Sequence, residues 1–231
     1  MRPLLFLLAL AGVALLILGN LVDSAWLCLL GKPLPIIALL LWLRQATNGP
    51  YRNWIATGLL FSLLGDLLLE WPTDLFVFGL GAFLLAHLAY LVAYLASSRR
   101  LAPGALLLAL AASGGMFGVL ASAGLGGLLL PVACYSLAIG CMLWRALARI
   151  NEPALERRSA WLAALGAVLF VLSDSLIGVN RFVLPFEGAG FAIMLSYWLG
   201  QWGIAASAMP ASPLPASTQL GVTAASPASL R

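Results

Sequence analysis

Long apolar runs, each close to the length of a bilayer crossing, follow one another along the chain with short polar breaks between them. A spanning helix needs about 20 predominantly apolar residues. Runs of that kind lie near Leu4–Leu21, Ala25–Leu43, Trp54–Trp71, Leu75–Ala96, Leu101–Leu120, Gly126–Leu147, Trp161–Val179 and Phe186–Ala208. The breaks carry Pro and Gly, as at Gly49-Pro50, Trp71-Pro72, Pro103-Gly104 and Pro185, residues that punctuate helices. The pattern predicts an all-α integral membrane protein of eight transmembrane helices, forming one domain over residues 1–208. Only the second run, around Pro33 and Pro35, invites a break within a span. From residue 209 the chain is rich in Ser, Pro and Ala without periodicity, which predicts a disordered tail over 209–231.

Composition agrees. Of 231 residues, 63% are hydrophobic and 9% charged, against about 25% charged in soluble domains. The net charge of +4 does not point to nucleic acid, because the basic residues are scattered over short loops and form no stripe. They do set an orientation. One set of loop ends carries Arg2, Arg44, Arg52, Arg99, Arg100, Arg145, Arg149, Arg157, Arg158 and Arg231, and the other only Lys32 and Arg181. Both termini, the tail included, are therefore expected in the cytoplasm. No A-x-A cleavage site follows the first run, so it reads as a span and not as a signal peptide. The bias to Arg, Ala and Leu suggests a bacterial origin, and hence the inner (plasma) membrane. Cys28, Cys134 and Cys141 lie inside apolar runs with no CxxC pair, as packing residues do.

The sequence also repeats. Gly58-Leu-Leu-Phe-Ser-Leu-Leu-Gly-Asp66 in the third run matches Gly166-Ala-Val-Leu-Phe-Val-Leu-Ser-Asp174 in the seventh, and Phe78 to Phe83 matches Phe186 to Phe191, all at an offset of 108. Four spans separate the copies, so they run in the same direction, a parallel 4+4 repeat.

An ionisable side chain inside a span is a functional candidate by default. At 1.5 Å per residue, Asp66 and Asp174 lie about 18 and 20 Å above the cytoplasmic starts of their spans, and Lys32 about 10 Å below the outer end of its own. In a core about 30 Å thick these share one level. Glu70 is one turn above Asp66, Arg181 two turns above Asp174 with Asn180 beside it, and His87 is near the midplane. Tyr90, Tyr135, Tyr197 and Gln201 add neutral polar groups. The expectation is a pocket holding two carboxylates and an ammonium. Its structural alternative is an ion pair of Lys32 with one aspartate that fixes helix packing.

Several chemistries are disfavoured. The chain has one histidine, whereas a zinc hydrolase needs about three clustered ligands; no metal is expected. There is no Gly-x-Ser-x-Gly elbow, which leaves only a Ser62–His87 pair for serine chemistry. Walker A and dinucleotide-binding glycine motifs are absent. Gly114 and Gly118 form a Gly-x-x-x-Gly that would pack within the monomer or in a homodimer, with the monomer favoured.

Lys32-Pro33, Gly65-Asp66, the stretch Phe78-x-x-Gly81-x-Phe83-x-x-x-His87-x-x-Tyr90, Pro131-x-x-x-Tyr135, Ser173-Asp174 and Tyr197-x-x-x-Gln201 together resemble the lysoplasmalogenase family of YhhN-type membrane proteins, over roughly residues 4–207. The resemblance implies hydrolysis of the vinyl ether bond of lysoplasmalogens, with the two aspartates at the active centre and no cofactor. Its partners would be a lysophospholipid substrate and membrane lipids. Vinyl ethers hydrolyse by protonation at carbon, so one carboxyl must carry a proton and a carboxylate must stabilise the cation, a division known from glycosidases. On this reading one aspartate is the acid and the other the carboxylate; Asp174 as the acid and Asp66, beside Lys32, as the carboxylate is one order, and the reverse stays open. Lys32 and Arg181 are candidates for the phosphate, and His87, Tyr90 and Tyr135 for the ether oxygen or water. The rival is a proton-coupled lipid or small-molecule carrier using the same carboxylates; a structural membrane protein would tolerate loss of both.

Overall fold

The computed structural model describes residues 3–210; the expected tail lies outside the described residues except for Met209 and Pro210. Among them there is no strand. The helices are α1 (Pro3–Leu21), α2 (Ala25–Gly31), α3 (Leu34–Leu43), α4 (Pro50–Leu69), α5 (Phe76–Ser97), α6 (Pro103–Ser122), α7 (Leu129–Ala148), α8 (Arg157–Gly178) and α9 (Ala189–Ala206). Six units are long and apolar enough to cross a membrane: α1, the α2–α3 pair, α5, α6, α7 with its flanking turns, and α8 with the turn after it. The protein is an all-helical integral membrane protein.

The remaining long helices, α4 and α9, carry the inward polar groups Ser62, Asp66, Tyr197 and Gln201. Each is sandwiched in the bundle, α4 most extensively against α5 and α9 against α8. Small residues allow the close approach. A methyl group on Gly166 would stand 2.7 Å from the Gly200 carbonyl oxygen, and one on Gly65 2.6 Å from the Phe83 ring. Without a hydrophobic drive between helices in lipid, such backbone proximity and interhelical hydrogen bonds carry the packing. The inner core gathers Ile36, Leu43, Leu59, Phe83, Tyr90, Met142, Phe170 and Ile204. Leu107, Leu108, Leu137 and Phe191 face outward, as an apolar solvent permits.

The break in the second run falls where two prolines predict it: α2 ends at Gly31 and α3 opens at Leu34. A five-residue π turn, Val179–Val183, extends α8, closed by the Leu184 amide donating to the Val179 carbonyl. Observed helix ends differ from the expected spans by a few residues.

Two expectations are corrected here. Arg145 and Arg149 are not exposed loop charges but are buried at the end of the bundle. Arg145 donates to the carbonyls of Ser98 and Arg100, which close α5; cations suit a helix C-terminus. Arg149 donates to Ser97 and Ser159 and stacks 4.2 Å from the Tyr51 ring. Nor do Gly114 and Gly118 pack within the monomer, because a methyl group at either would meet nothing within 4 Å.

Candidate active site

A cleft opens between α5, α6, α7 and α8. Its wall is largely apolar, with Leu80, Phe83, Met116, Leu120, Ile139 and Val171, and Asp174 is its carboxylate. The aspartate is held from two sides. The Tyr135 hydroxyl donates to its Oδ2 at 2.5 Å, and His87 Nε2 stands 3.4 Å from the same oxygen. His87 Nδ1 lies 2.6 Å from the Phe83 carbonyl. A carbonyl can only accept, so Nδ1 carries the hydrogen, and a neutral His87 presents a bare Nε2 to Asp174. That nitrogen is buried with no hydrogen-bond partner. One proton between Asp174 and His87 removes the clash of lone pairs.

Asp66 lies elsewhere. It is 1% exposed and does not line the cleft. Its Oδ2 accepts from the Tyr197 hydroxyl at 2.7 Å. One turn below, Tyr90 donates to Gln201 Oε1 at 2.7 Å and Gln201 Nε2 donates to Ser62 at 2.8 Å, a closed interhelical network. Phe83 belongs to both regions: it lines the cleft, packs on Gly65 and meets the Tyr197 ring edge-on at 5.8 Å.

Other expected site residues are redistributed. Lys32 pairs with Glu70 at 3.2 Å, not with an aspartate. Glu70 caps α4, where the α2–α3 break presents the ammonium. Asn180 accepts the Phe186 amide at 3.3 Å and so folds the loop after the π turn. Arg181 lies 3.2 Å from exposed Asp74 and stacks 3.8 Å over the ring of Phe76, which lines the cleft together with Phe182. The Ser62–His87 pair does not form, since Ser62 serves Gln201 and Tyr90. The expected single layer thus divides into a lined cleft around Asp174 and a sealed network around Asp66. Sequence reasoning missed Phe170, which packs on the His87 ring at 4.7 Å; its place one turn before Asp174 was the available signal. It also missed Ser136 and Ser175 in the cleft wall, neighbours in sequence of Tyr135 and Asp174.

The YhhN family model matches residues 27–208. Lysoplasmalogenase TMEM86B of Homo sapiens is 36% identical over 84% of this chain and 80% of its own length. The protein of that name from Sus scrofa is 36% identical over 78% of this chain and 74% of its own. A lysoplasmalogenase of Mycobacterium tuberculosis is 38% identical over 64% of this chain and 58% of its own length. No solved structure matches. With this match over most of its length, the chain belongs to the YhhN family.

Proposed function

We propose that the protein is a lysoplasmalogenase, which adds water across the vinyl ether of a lysoplasmalogen and releases a fatty aldehyde and glycerophosphoethanolamine or glycerophosphocholine. The observation that carries this reading is Asp174 on the wall of an apolar cleft, with Tyr135 and His87 on the same oxygen. The relatives' names support it.

Asp174 gives its proton to the vinyl carbon remote from the ether oxygen, leaving an oxocarbenium ion beside the new carboxylate. Tyr135 keeps that carboxylate in place, and bare His87 Nε2 shares the returning proton. Water adds to the cationic carbon and loses a proton to the pair. The hemiacetal then collapses, its hydroxyl proton leaving as the glycerol oxygen is protonated. Net, one water is consumed and the C–O bond on the alkenyl side is broken. Asp66 is off the wall, and in this scheme it acts by its charge from behind Phe83, not as the base. Arg181 lies seven residues beyond Asp174, about 10 Å along the helix axis. That reach suits a phosphate, which would take Asp74's place on the guanidinium. Lys32, engaged with Glu70, holds the α2–α3 break against α4.

The frame we propose has eight spans, the six most apolar units with α4 and α9 as the other two. Two quartets, α1 to α5 and α6 to α9, would make up the parallel repeat, and the packing supports it: α1 packs on α2 and α3 as α6 does on α7, and α4 on α5 as α8 does on α9. In that repeat Asp66 and Asp174 would correspond, 108 residues apart. Both termini would face the cytoplasm of a bacterial inner membrane.

Purified protein in detergent, given alkenyl- and acyl-lysophosphoethanolamine, tests the reading. Aldehyde from the alkenyl lipid and no fatty acid from the acyl lipid is expected. Flux of uncleaved lipid across liposomes, without aldehyde, would favour the carrier instead.

A further inference from the structure

The proton transfer at Asp174 uses neither of two serine hydroxyls in the cleft wall. On α7 the wall takes Tyr135, Ser136 and Ile139, and on α8 Val171, Asp174 and Ser175. These are the three- and four-residue steps that put side chains on one helix face. Ser136 therefore stands next to the tyrosine that holds the acid, and Ser175 next to the acid itself. Both are half-buried. Elsewhere a serine inside a helix is satisfied within the protein. Ser97, Ser113, Ser122 and Ser196 turn the hydroxyl back onto a carbonyl of their own helix, the ordinary local choice. Ser159 and Ser173 donate to the carbonyls of Ser207 and Ile193, and Ser62 accepts from Gln201. Ser136 and Ser175 alone among the helical serines make no hydrogen bond among the described residues, and both face the cleft. A hydroxyl against largely apolar walls costs free energy until a partner arrives. Another hydroxyl suits it, since each can both donate and accept.

We propose that Ser136 and Ser175 bind the free secondary hydroxyl of the substrate's glycerol and so select a lysolipid, an inference that rests on the lysoplasmalogenase reading. In a lysoplasmalogen that hydroxyl is vicinal to the ether oxygen. Placing the vinyl ether at Asp174 therefore places the hydroxyl beside it, on the stretch of wall that carries the serines. A lipid acylated at the same carbon has no O–H to donate there and brings an extra chain against the wall. The short glycerol link ties this contact to the reacting bond, so the contact holds the vinyl carbon in register with the acid. Neither serine moves a proton in the reaction; both are binding residues.

Pairing changes in the protein with changes in the lipid tests this. For the unaltered protein, kcat/KM for a 2-deoxy alkenyl lipid, which lacks only the secondary hydroxyl, should be about five- to tenfold below that for alkenyl-lysophosphoethanolamine, the worth of one or two neutral hydrogen bonds. In the double variant Ser136→Ala, Ser175→Ala the two lipids should be turned over within about twofold of each other. Equal losses for both lipids in the variant would assign the hydroxyls to water or to the scaffold and overturn the proposal, as would an unaltered protein that does not discriminate. The variant should keep its Tm, since no bond within the protein is lost and alanine is the better helix former; a lowered Tm would mean a structural role and count against the idea. The second measurement is binding of the non-cleavable hexadecyl ether lysophosphoethanolamine and its 2-deoxy counterpart, with the same ratio expected and the same loss of discrimination in the variant. Binding reads the serines even if no vinyl ether is cleaved, in which case the functional reading fails separately.

Discussion

Asp66 and Asp174 stand 108 residues apart after matching Gly-led helices, yet they occupy unlike surroundings. Each accepts a tyrosine hydroxyl, Tyr197 for Asp66 and Tyr135 for Asp174. Asp66 is then sealed by the Ser62–Tyr90–Gln201 network, while Asp174 looks into the cleft beside His87. The helix motif itself supplies only an inward carboxyl. Access is decided by the neighbour. Over Asp66, Tyr197 of α9 and the α5 helix packed along α4 close the space; beside α8, the outlying α6 leaves a gap, and few of its residues are buried. Two similar stretches of sequence thus place their carboxyls in unlike surroundings, one sealed and one on the wall of a cleft.

Replacing each aspartate by asparagine is the strongest way to break this comparison. Asp174→Asn removes the acid, and kcat for aldehyde release should fall about 10²–10⁴-fold. Asp66→Asn should cost about tenfold or more, but less than Asp174→Asn, because it removes charge near the cation without touching the substrate. Equal losses would mean that both carboxyls reach the reacting atoms. The tyrosines sharpen the same contrast. Tyr135→Phe takes a hydrogen bond from the working carboxyl and should lower kcat about tenfold, as loss of a bond to a charged group does. Tyr197→Phe leaves a buried acceptor unpaired and should act mainly on stability, by about 1–3 kcal/mol in thermal unfolding. At the small end, Gly58→Ala drives a methyl group into the Tyr90 ring and should lower Tm in detergent by an amount equivalent to about 1–3 kcal/mol. Gly114→Ala, facing open space, should not lower it.

Much of the fold was legible because lipid imposes a length and a composition on each crossing. The break at Lys32-Pro33 was legible because proline removes a donor. The aspartates stood out because a carboxyl within a span is costly. Pairing was not legible. Lys32 sits at the level of Asp66, but a one-turn step along α4 brings Glu70 to it instead. Arg145 and Arg149 read as loop charges because sequence cannot show that α5 ends beside them. The cleft itself depends on how far α6 stands from α8, a property of packing between helices and not of any motif.

The most direct test is aldehyde release from alkenyl-lysophosphoethanolamine by the purified protein, with Asp174→Asn and Asp66→Asn measured alongside at matched folding. The account predicts release by the unaltered protein, near-complete loss in Asp174→Asn and a smaller loss in Asp66→Asn. Normal turnover in Asp174→Asn, with the protein folded, would contradict it.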